Sequence, residues 1–495
     1  MGERRSWWIG LLLFFAVGAA WALLTPYNGA YDEHDHVVRA AGVVRGQVLV
    51  KPARGVNDGG YPVVPASLVP TGWDCMMVVN PPGANCLGAA PDSRAAVPVH
   101  SRAARYDPVY YAVVGWPLLP WPDMTGVILA RLLSALLCAA LLATALALLL
   151  PMRRRYLPLA VLFAASPMLG CLNGIVNPSG MAIDAAVLLW AVFLRRYGGE
   201  PDPPPQLRRR LAAIGAAAAV TLVVTRPEGF LLVAAIGVAA WLAMGFPRPR
   251  RIGWAAAAVA AAVVGALAWV EASRVAEFGD QAQPITWPLR AVLRLILEQN
   301  VDYWLRQTVG LFGYGTIGLP LFVYCAWAAI AGGLLVAGFA VADRRRLALS
   351  IAAIPLLCLA GGIAADVVMS RIVGFWMQGR YFLPLWVGAS LLAAWALRDA
   401  GGEALRRRVY SAGLTIWAGT HVAGFAVALL GYSSGKRHVP GLGRWVPAAG
   451  VTLPWLLLLL GLAAAAWLLY PFVRAPRAAP VLAEAPVRET ADAAA

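Results

Sequence analysis

Charge is what this chain of 495 residues has least of: Asp, Glu, Lys and Arg make up 13% of it, against 60% hydrophobic residues. A water-soluble domain of that size would rarely tolerate such a balance, so the composition excludes a soluble enzyme and calls for a bilayer. Acidic residues are scarcer still, 25 against 41 Lys and Arg. The resulting net charge of +16 would suit a nucleic-acid binder. The basic residues are instead gathered into short runs between apolar stretches, the pattern that sets orientation in a membrane, and no nucleic acid is expected as a partner. Motifs are missing too. No glycine loop of the nucleotide-hydrolase type is present, so no nucleotide is expected and ATP-driven transport by this chain alone is set aside. The zinc-protease spacing, a glutamate between histidines on successive turns, is absent. Cysteine is limited to six residues. Cys75 and Cys86 share an outer loop, where an oxidising exterior favours a disulfide over free thiols, while Cys138, Cys171, Cys325 and Cys358 fall in or beside spans.

What is present is apolar and periodic. The reading is an all-α polytopic membrane protein with about 12 transmembrane helices, at 7–25, 125–150, 157–174, 180–194, 211–226, 229–245, 252–270, 319–341, 347–366, 381–397, 410–432 and 448–470. The first has no clear small-residue cleavage site and is expected to stay as an anchor. With the amino terminus in the cytoplasm, Arg153 to Arg155, Arg195-Arg196, Arg208 to Arg210, Arg248 with Arg250-Arg251, Arg344 to Arg346 and Arg406 to Arg408 share one side, as the positive-inside rule requires. Lys436, Arg437 and Arg444 are the exception. Residues 1–471 form one membrane domain, and 472–495 read as a disordered cytoplasmic tail. Two extracytoplasmic loops, 26–124 and 271–318, are longer than a compact bundle needs. Within them, 106–121 and 285–311 suit helices lying along the membrane plane.

The chain is organised around Tyr31-Asp32-Glu33-His34-Asp35-His36, which follows the first span and opens a short helix with Val37, Val38, Ala41, Val44 and Val48 on its apolar positions. Asp32 or Glu33 is a candidate general base, its pKa raised by like charge and partial burial. Asp32, Glu33 and His36 are equally candidates for a divalent metal, Mg2+ or Mn2+. The plain alternative is that these acids cap the helix and face water. Downstream, Asn177 in Val176-Asn177-Pro178-Ser179-Gly180 either meets a sugar hydroxyl or makes a tight turn. Asp184, inside a span, needs a partner or a role. Arg226 and Glu228, in Thr225-Arg226-Pro227-Glu228-Gly229, either bind or pair with each other. Arg380, in Gln378-Gly379-Arg380-Tyr381-Phe382-Leu383-Pro384, offers a forked donor set to a lipid phosphate, with Arg371, Arg306 and Arg102 or Arg105 as helpers.

Taken together in their order, the Asp32-Glu33 pair with His36, Pro108-Val109-Tyr110-Tyr111, Val176 to Gly180, Thr225 to Glu228 and Gln378 to Pro384 resemble a bacterial, largely actinobacterial family of multipass proteins. That family, domain of unknown function 2142, is related to the GT-C superfamily of membrane glycosyltransferases. The resemblance implies a GT-C-like fold and inverting sugar transfer from a polyprenyl-phosphate donor to a cell-envelope glycan or lipid-linked acceptor, outside a bacterial cytoplasmic membrane. It implies Asp32 as the essential carboxylate, with Glu33 close behind, and Arg380 on the lipid phosphate. Gln378, Tyr381, His36, Asn177, Arg226, Arg306 and Tyr110 complete the expected substrate-binding set. The rival readings are a transporter or flippase of a lipid-linked saccharide, which calls for internal duplication and broken helices, and a non-catalytic envelope assembly protein. Oligomeric state is left open.

Overall fold

The computed structural model describes residues 2–52, 59–78, 80–152, 154–198, 203–246, 253–275, 284–398, 400–435 and 443–474. Arg153, Arg248, Arg250, Arg251, Lys436 and Arg437, and the tail from 475 onward, lie outside the described residues.

The chain runs through α1 (Glu3–Leu24) into a first long loop. That loop holds α2 (Glu33–Val43), an antiparallel strand pair β1 (Val63–Pro65) and β2 (Ala96–Pro98), and α3 (Pro108–Val114). Next come α4 (Met124–Leu149), α5 (Leu157–Ala164), α6 (Pro167–Asn173), α7 (Pro178–Tyr197), α8 (Pro205–Thr225), α9 (Gly229–Met244) and α10 (Trp254–Ser273). The second long loop contributes α11 (Leu289–Leu295), α12 (Val301–Val309) and a hairpin, β3 (Leu311–Phe312) and β4 (Ile317–Gly318). The bundle closes with α13 (Leu321–Val341), α14 (Arg345–Ser370), α15 (Leu383–Leu397), α16 (Gly402–Ser434) and α17 (Thr452–Val473). Phe472 and Val473 thus finish a helix rather than start the tail.

Proline marks many helix starts. In α3, α5, α6, α7, α8 and α15 it occupies one of the first two positions, where its missing N–H would have no partner anyway and its fixed φ suits a helix. All twelve expected apolar stretches are helical, but they are not twelve equal spans. Among the described residues, α1, α4, α7, α10, α13, α14, α16 and α17 are long and apolar enough to cross a membrane, and α9 and α15 are shorter apolar helices. In α8 the first turns carry Arg208, Arg209 and Arg210. The stretch 157–174 is broken into α5 and α6, because Pro167 cannot continue the ladder. The carbonyl of Ala165, left free at the break, accepts from Trp417 Nε1 at 2.9 Å and from His421 Nε2 at 3.0 Å, and Ser166 donates to the Thr308 carbonyl at 2.8 Å. The carbonyl freed at the break is therefore satisfied internally.

Packing places α7 at the centre, buried on nearly every side among α4, α8 and α15, while α1 packs on α4 and α17. The basic runs collect at one end. There Arg154 reaches the Trp395 carbonyl, Tyr410 the Arg155 carbonyl and Arg344 the Met244 carbonyl, and Arg210 pairs with Glu3. Both long loops cover the opposite end. Cys75 and Cys86 are bonded within the first. From α3 to 121 the exposed apolar side chains Val109, Val113, Trp116 and Trp121 suit the interfacial placement expected of that segment.

Candidate active site

The site begins with a backbone irregularity. Asp32 is the N-cap of α2 but has φ 62° and ψ 12°, in the left-handed region, and makes no side-chain cap bond. A capping aspartate has extended backbone and accepts from the first turn. The left-handed setting, which Asp tolerates better than most residues, aims the carboxylate elsewhere. Its Oδ2 accepts from Arg380 Nη2 at 2.5 Å and its Oδ1 from Arg102 Nη2 at 3.5 Å. The Asp32 side chain is 28% exposed and that of Arg380 1%. Residues 348 positions apart in sequence thus meet at one ion pair.

Arg380 is held on a strap. Asp366, fully buried on α14, accepts the backbone N–H of Trp376 at 2.9 Å and of Met377 at 2.7 Å, and the amide of Asn300 at 2.9 Å. Gly379 then donates to Gln307 Oε1 at 2.6 Å, and Gln307 Nε2 donates to the Tyr31 hydroxyl at 3.0 Å. A Cβ on Gly379 would stand 1.9 Å from the Trp304 carbonyl oxygen. Only glycine lets the strap press so closely on α12. The Arg380 guanidinium lies over the rings of Tyr31, at 4.6 Å, and Tyr381, at 5.3 Å, and Arg226 lies over Tyr381 at 4.6 Å. Arg380 Nε and Nη1 are buried without a partner. A buried guanidinium with unused donors is set to receive an anion.

The rest of the predicted set divides between this site and the scaffold. Glu33 is fully buried; Arg131 Nε donates to Oε1 at 2.6 Å and Nη2 to Oε2 at 2.5 Å, and the backbone N–H groups of Asn28 and Val176 add bonds at 3.2 and 3.3 Å. With its oxygens so occupied it anchors the α1–α2 turn, and the expectation of Glu33 as a base is corrected. Asn177 caps α7 through Ser179 N–H at 2.9 Å and donates to the Tyr31 carbonyl at 2.9 Å, which makes it a turn that steadies Asp32 from behind. Tyr110 is buried against α4 with its hydroxyl 3.1 Å from Ser134, and Arg306 pairs with Asp302 at 2.7 Å on the outer face of α12; neither joins the site. Arg226 pairs with Glu228 at 2.7 Å and donates to Ser179 at 3.0 Å, so it flanks the site through Tyr381 with its charge matched. Gln378 lies on the strap, its Oε1 buried and unpartnered. Of the helpers only Arg102 arrives; Arg371 donates to the Ile285 and Trp287 carbonyls and Arg105 to that of Arg274. Helix α2 ends at Val43, short of Val44 and Val48. Asp184 is fully buried on α7, two turns below this level.

His36 Nδ1 is 2.8 Å from the Tyr111 hydroxyl. Asp32, Glu33 and His36 therefore face three different partners, and among the described residues no three His, Cys, Asp or Glu side chains converge as metal ligands. The set proposed for Mg2+ or Mn2+ does not fit a divalent ion.

Charge follows geometry. Burial would raise the Asp32 pKa, but Arg380, then Arg102 and His36, outweigh it and hold the carboxyl below its ordinary range. Burial lifts that of Asp35, against the pull of Arg102, whose backbone N–H donates to it at 2.7 Å and whose Nε donates at 3.1 Å. Burial also drives His36 down to about 3, opposed by Asp32 and helped by Arg226, Arg380 and Arg102. His34, stacked on Trp73 at 3.7 Å, falls to about 3 through burial and then through His100 and Arg102. The imidazoles are neutral and the carboxylate at position 32 is ionised. Two groups escaped sequence reasoning. Tyr314, at positive φ between Gly313 and Gly315, accepts from Asp32 N–H at 3.2 Å and donates to Asn28 Oδ1 at 2.6 Å; the Gly-Tyr-Gly run was its signal. Arg131 announced itself as a lone arginine inside an apolar helix.

The fold and site define a polytopic, all-helical membrane protein with a carboxylate–guanidinium pair roofed by two long loops. The chain belongs to the family described as "Predicted membrane protein (DUF2142)", whose model matches residues 14–389 and so includes both members of the pair. No curated protein matches it. Among solved structures it is similar to ArnT from Cupriavidus metallidurans bound to undecaprenyl phosphate, at 16% identity over 94% of this chain and 76% of that one, TM-score 0.43. The apo form of ArnT gives 15% identity over 94% and 75%, TM-score 0.44.

Proposed function

We propose that this protein is a GT-C-type, inverting membrane glycosyltransferase that moves a sugar from a polyprenyl-phosphate donor to a cell-envelope acceptor on the extracytoplasmic side of a bacterial cytoplasmic membrane. The observation that carries the reading is the 2.5 Å pairing of a partly exposed Asp32 with a buried Arg380 that keeps two nitrogens unused. It is the juxtaposition that the family resemblance calls for, at the end of the bundle away from the basic runs. A structural ion pair would use its donors fully, as Arg131 does with Glu33 and three carbonyls.

The chemistry follows from competition for one guanidinium. At rest Arg380 keeps Asp32 ionised but weakly basic. A donor phosphate entering beside Arg380 offers it a second anion, and Arg380 shares or shifts its bonds towards the phosphate, which raises the basicity of Asp32. Asp32 then takes the proton of the acceptor hydroxyl as its oxygen attacks the anomeric carbon. The anomeric carbon–oxygen bond breaks on the opposite face, and the electron pair leaves with the lipid phosphate, where Arg380 meets the growing charge. The donor ester supplies the driving force and no nucleotide enters.

Purified protein, polyprenyl-phosphate sugars and envelope acceptors in a transfer assay test this directly. Asp32→Asn is expected to lower the rate by at least a hundredfold, in the range of a lost general base, while donor binding persists. Wild-type turnover by that variant removes Asp32 from the chemistry. Donor-stimulated movement of an intact lipid-linked saccharide across sealed vesicles, with no sugar transferred, favours a flippase instead.

A further inference from the structure

Helix α12 meets both halves of the Asp32–Arg380 pair with one stripe. Asn300, its N-cap, and then Tyr303, Trp304 and Gln307 recur at the three- and four-residue spacing that puts side chains on a single face. A π-helical turn, Ile296–Asn300, stands directly ahead of the helix. Such a turn holds one residue more than an α-helical one, so it resets the face that everything after it presents, and turns of this kind concentrate at functional sites. The polar groups of the stripe go to one half of the pair or the other. The Asn300 amide bonds Asp366, the anchor of the strap, at 2.9 Å, and Trp304 Nε1 donates to the Met377 carbonyl at 2.9 Å; both serve the Arg380 side. The Tyr303 hydroxyl, 3.3 Å from that of Tyr31, serves the Asp32 side.

Of these four residues Gln307 serves both sides. It is fully buried, and its amide is shared between the residues that immediately precede the two members of the pair. Oε1 accepts from Gly379 N–H at 2.6 Å, and Nε2 donates to the Tyr31 hydroxyl at 3.0 Å. The partners fix which way the amide points. Gly379 N–H can only donate, and the Tyr31 hydroxyl places its one proton on the Leu311 carbonyl, 3.1 Å away, which leaves it an acceptor towards Gln307. A primary amide carries donor and acceptor on one rigid plane, so the strap and Tyr31 are held a set distance apart. Tyr31 passes that constraint to both members, being joined to Asp32 in the chain and lying with its ring 4.6 Å under the Arg380 guanidinium.

We propose that Gln307 is a positioning residue that sets the register between Asp32 and Arg380, by holding the strap backbone and the Tyr31 hydroxyl to one amide. As a statement about rate this rests on the sugar-transfer reading; as a statement about geometry it does not, so the test begins without substrate. Asp32 is faced by Arg380, Arg102 and His36, and the infrared carboxyl band that Asp32→Asn removes reports how firmly the guanidinium is held. In the full chain in detergent, Gln307→Met, similar in length but without an amide, is expected to bring that band in at a pH higher by about one, the low end of what an adjoining guanidinium does to a carboxyl. Tyr31→Phe opens only one arm of the bridge and should move the band the same way by less; it carries the test if Gln307→Met does not fold. Ser166→Ala cuts the bond between α6 and the Thr308 carbonyl of α12, so it should lower the thermal midpoint and leave the band in place. A band unmoved by Gln307→Met or by Tyr31→Phe, or moved as far by Ser166→Ala, overturns the proposal. In the transfer assay Gln307→Met should lower kcat on the order of a hundredfold, as a small misplacement of reacting groups does; a shifted band with wild-type kcat overturns the catalytic half. Absence of transfer by the wild-type protein would sink the sugar-transfer reading instead, and the band alone then decides this one.

Discussion

The sharpest distinction the site makes is between two adjacent carboxylates, and Glu33→Gln tests it. Glu33 is 0% exposed and Arg131 2%. The substitution keeps the outline of the side chain, removes the charge, and turns an amide NH2 towards a guanidinium that has only donors to offer. Arg131 is then a buried cation with no counter-ion, and removing one partner of such a pair costs about 3–5 kcal/mol. The loss falls on the α1–α2 turn, because the same guanidinium holds the carbonyls of Ala22, Thr25 and Pro26 at 3.0, 2.6 and 3.0 Å. Asp32→Asn, at a side chain 28% exposed, keeps an amide oxygen for Arg380, which also retains the Tyr31 and Tyr381 rings, and should cost less stability and far more activity. Thermal unfolding in detergent, followed by tryptophan fluorescence and checked by gel filtration, reads the first effect. Adding Arg131→Met to Glu33→Met should recover only the part of the loss that comes from the unpaired charge, because the Ala22, Thr25 and Pro26 carbonyls and the Asn28 and Val176 N–H groups still lose their partners. A Glu33→Gln protein with the wild-type midpoint and no transfer would refute the reasoning and make Glu33 the chemical group.

Further expectations concern pH and packing. His34 and His36 are neutral in the fold, with pKa values near 3, and would protonate near 6.5 once unfolded. The unfolded chain therefore binds more protons between these values, and stability should fall as pH drops from about 6.5 towards 3, by about 1.4 kcal/mol per unit for each histidine. Denaturant titrations of His36→Gln should show a shallower acid loss; an unchanged slope counts against a buried neutral imidazole. Removing Arg380 takes away the largest charge holding the Asp32 pKa down. In Arg380→Gln the protonated-carboxyl infrared band should accordingly appear at higher pH than in the wild-type protein, and an unmoved band would show that the two groups do not pair in solution. Gly379→Ala would drive a Cβ against the Trp304 carbonyl at 1.9 Å. The strap must move, at a cost of about 1–3 kcal/mol, and phosphate-donor affinity should fall with it, while Gly237→Ala, in open space, should leave the donor affinity as it was.

Local signals in the chain were enough to announce the membrane, the twelve apolar stretches, the two long loops and the Cys75–Cys86 bond. Each depends on composition, period or a breaker within a few residues, and such signals need no partner to be read. Tertiary packing alone decided what each polar residue does. Asp32 and Glu33 are neighbours with the same chemistry, yet the left-handed backbone at Asp32 turns one carboxylate to Arg380 while the first turn of α2 sends the other to Arg131. Asn177 and Tyr110 carry the same groups as true ligands and are occupied by Tyr31 and Ser134, partners remote in sequence, while Arg306 pairs one turn back with Asp302. A side chain's identity fixes which bonds it can make; only the three-dimensional arrangement fixes which of them are already taken, and in this protein it leaves Arg380 Nε and Nη1 buried with their donors unused.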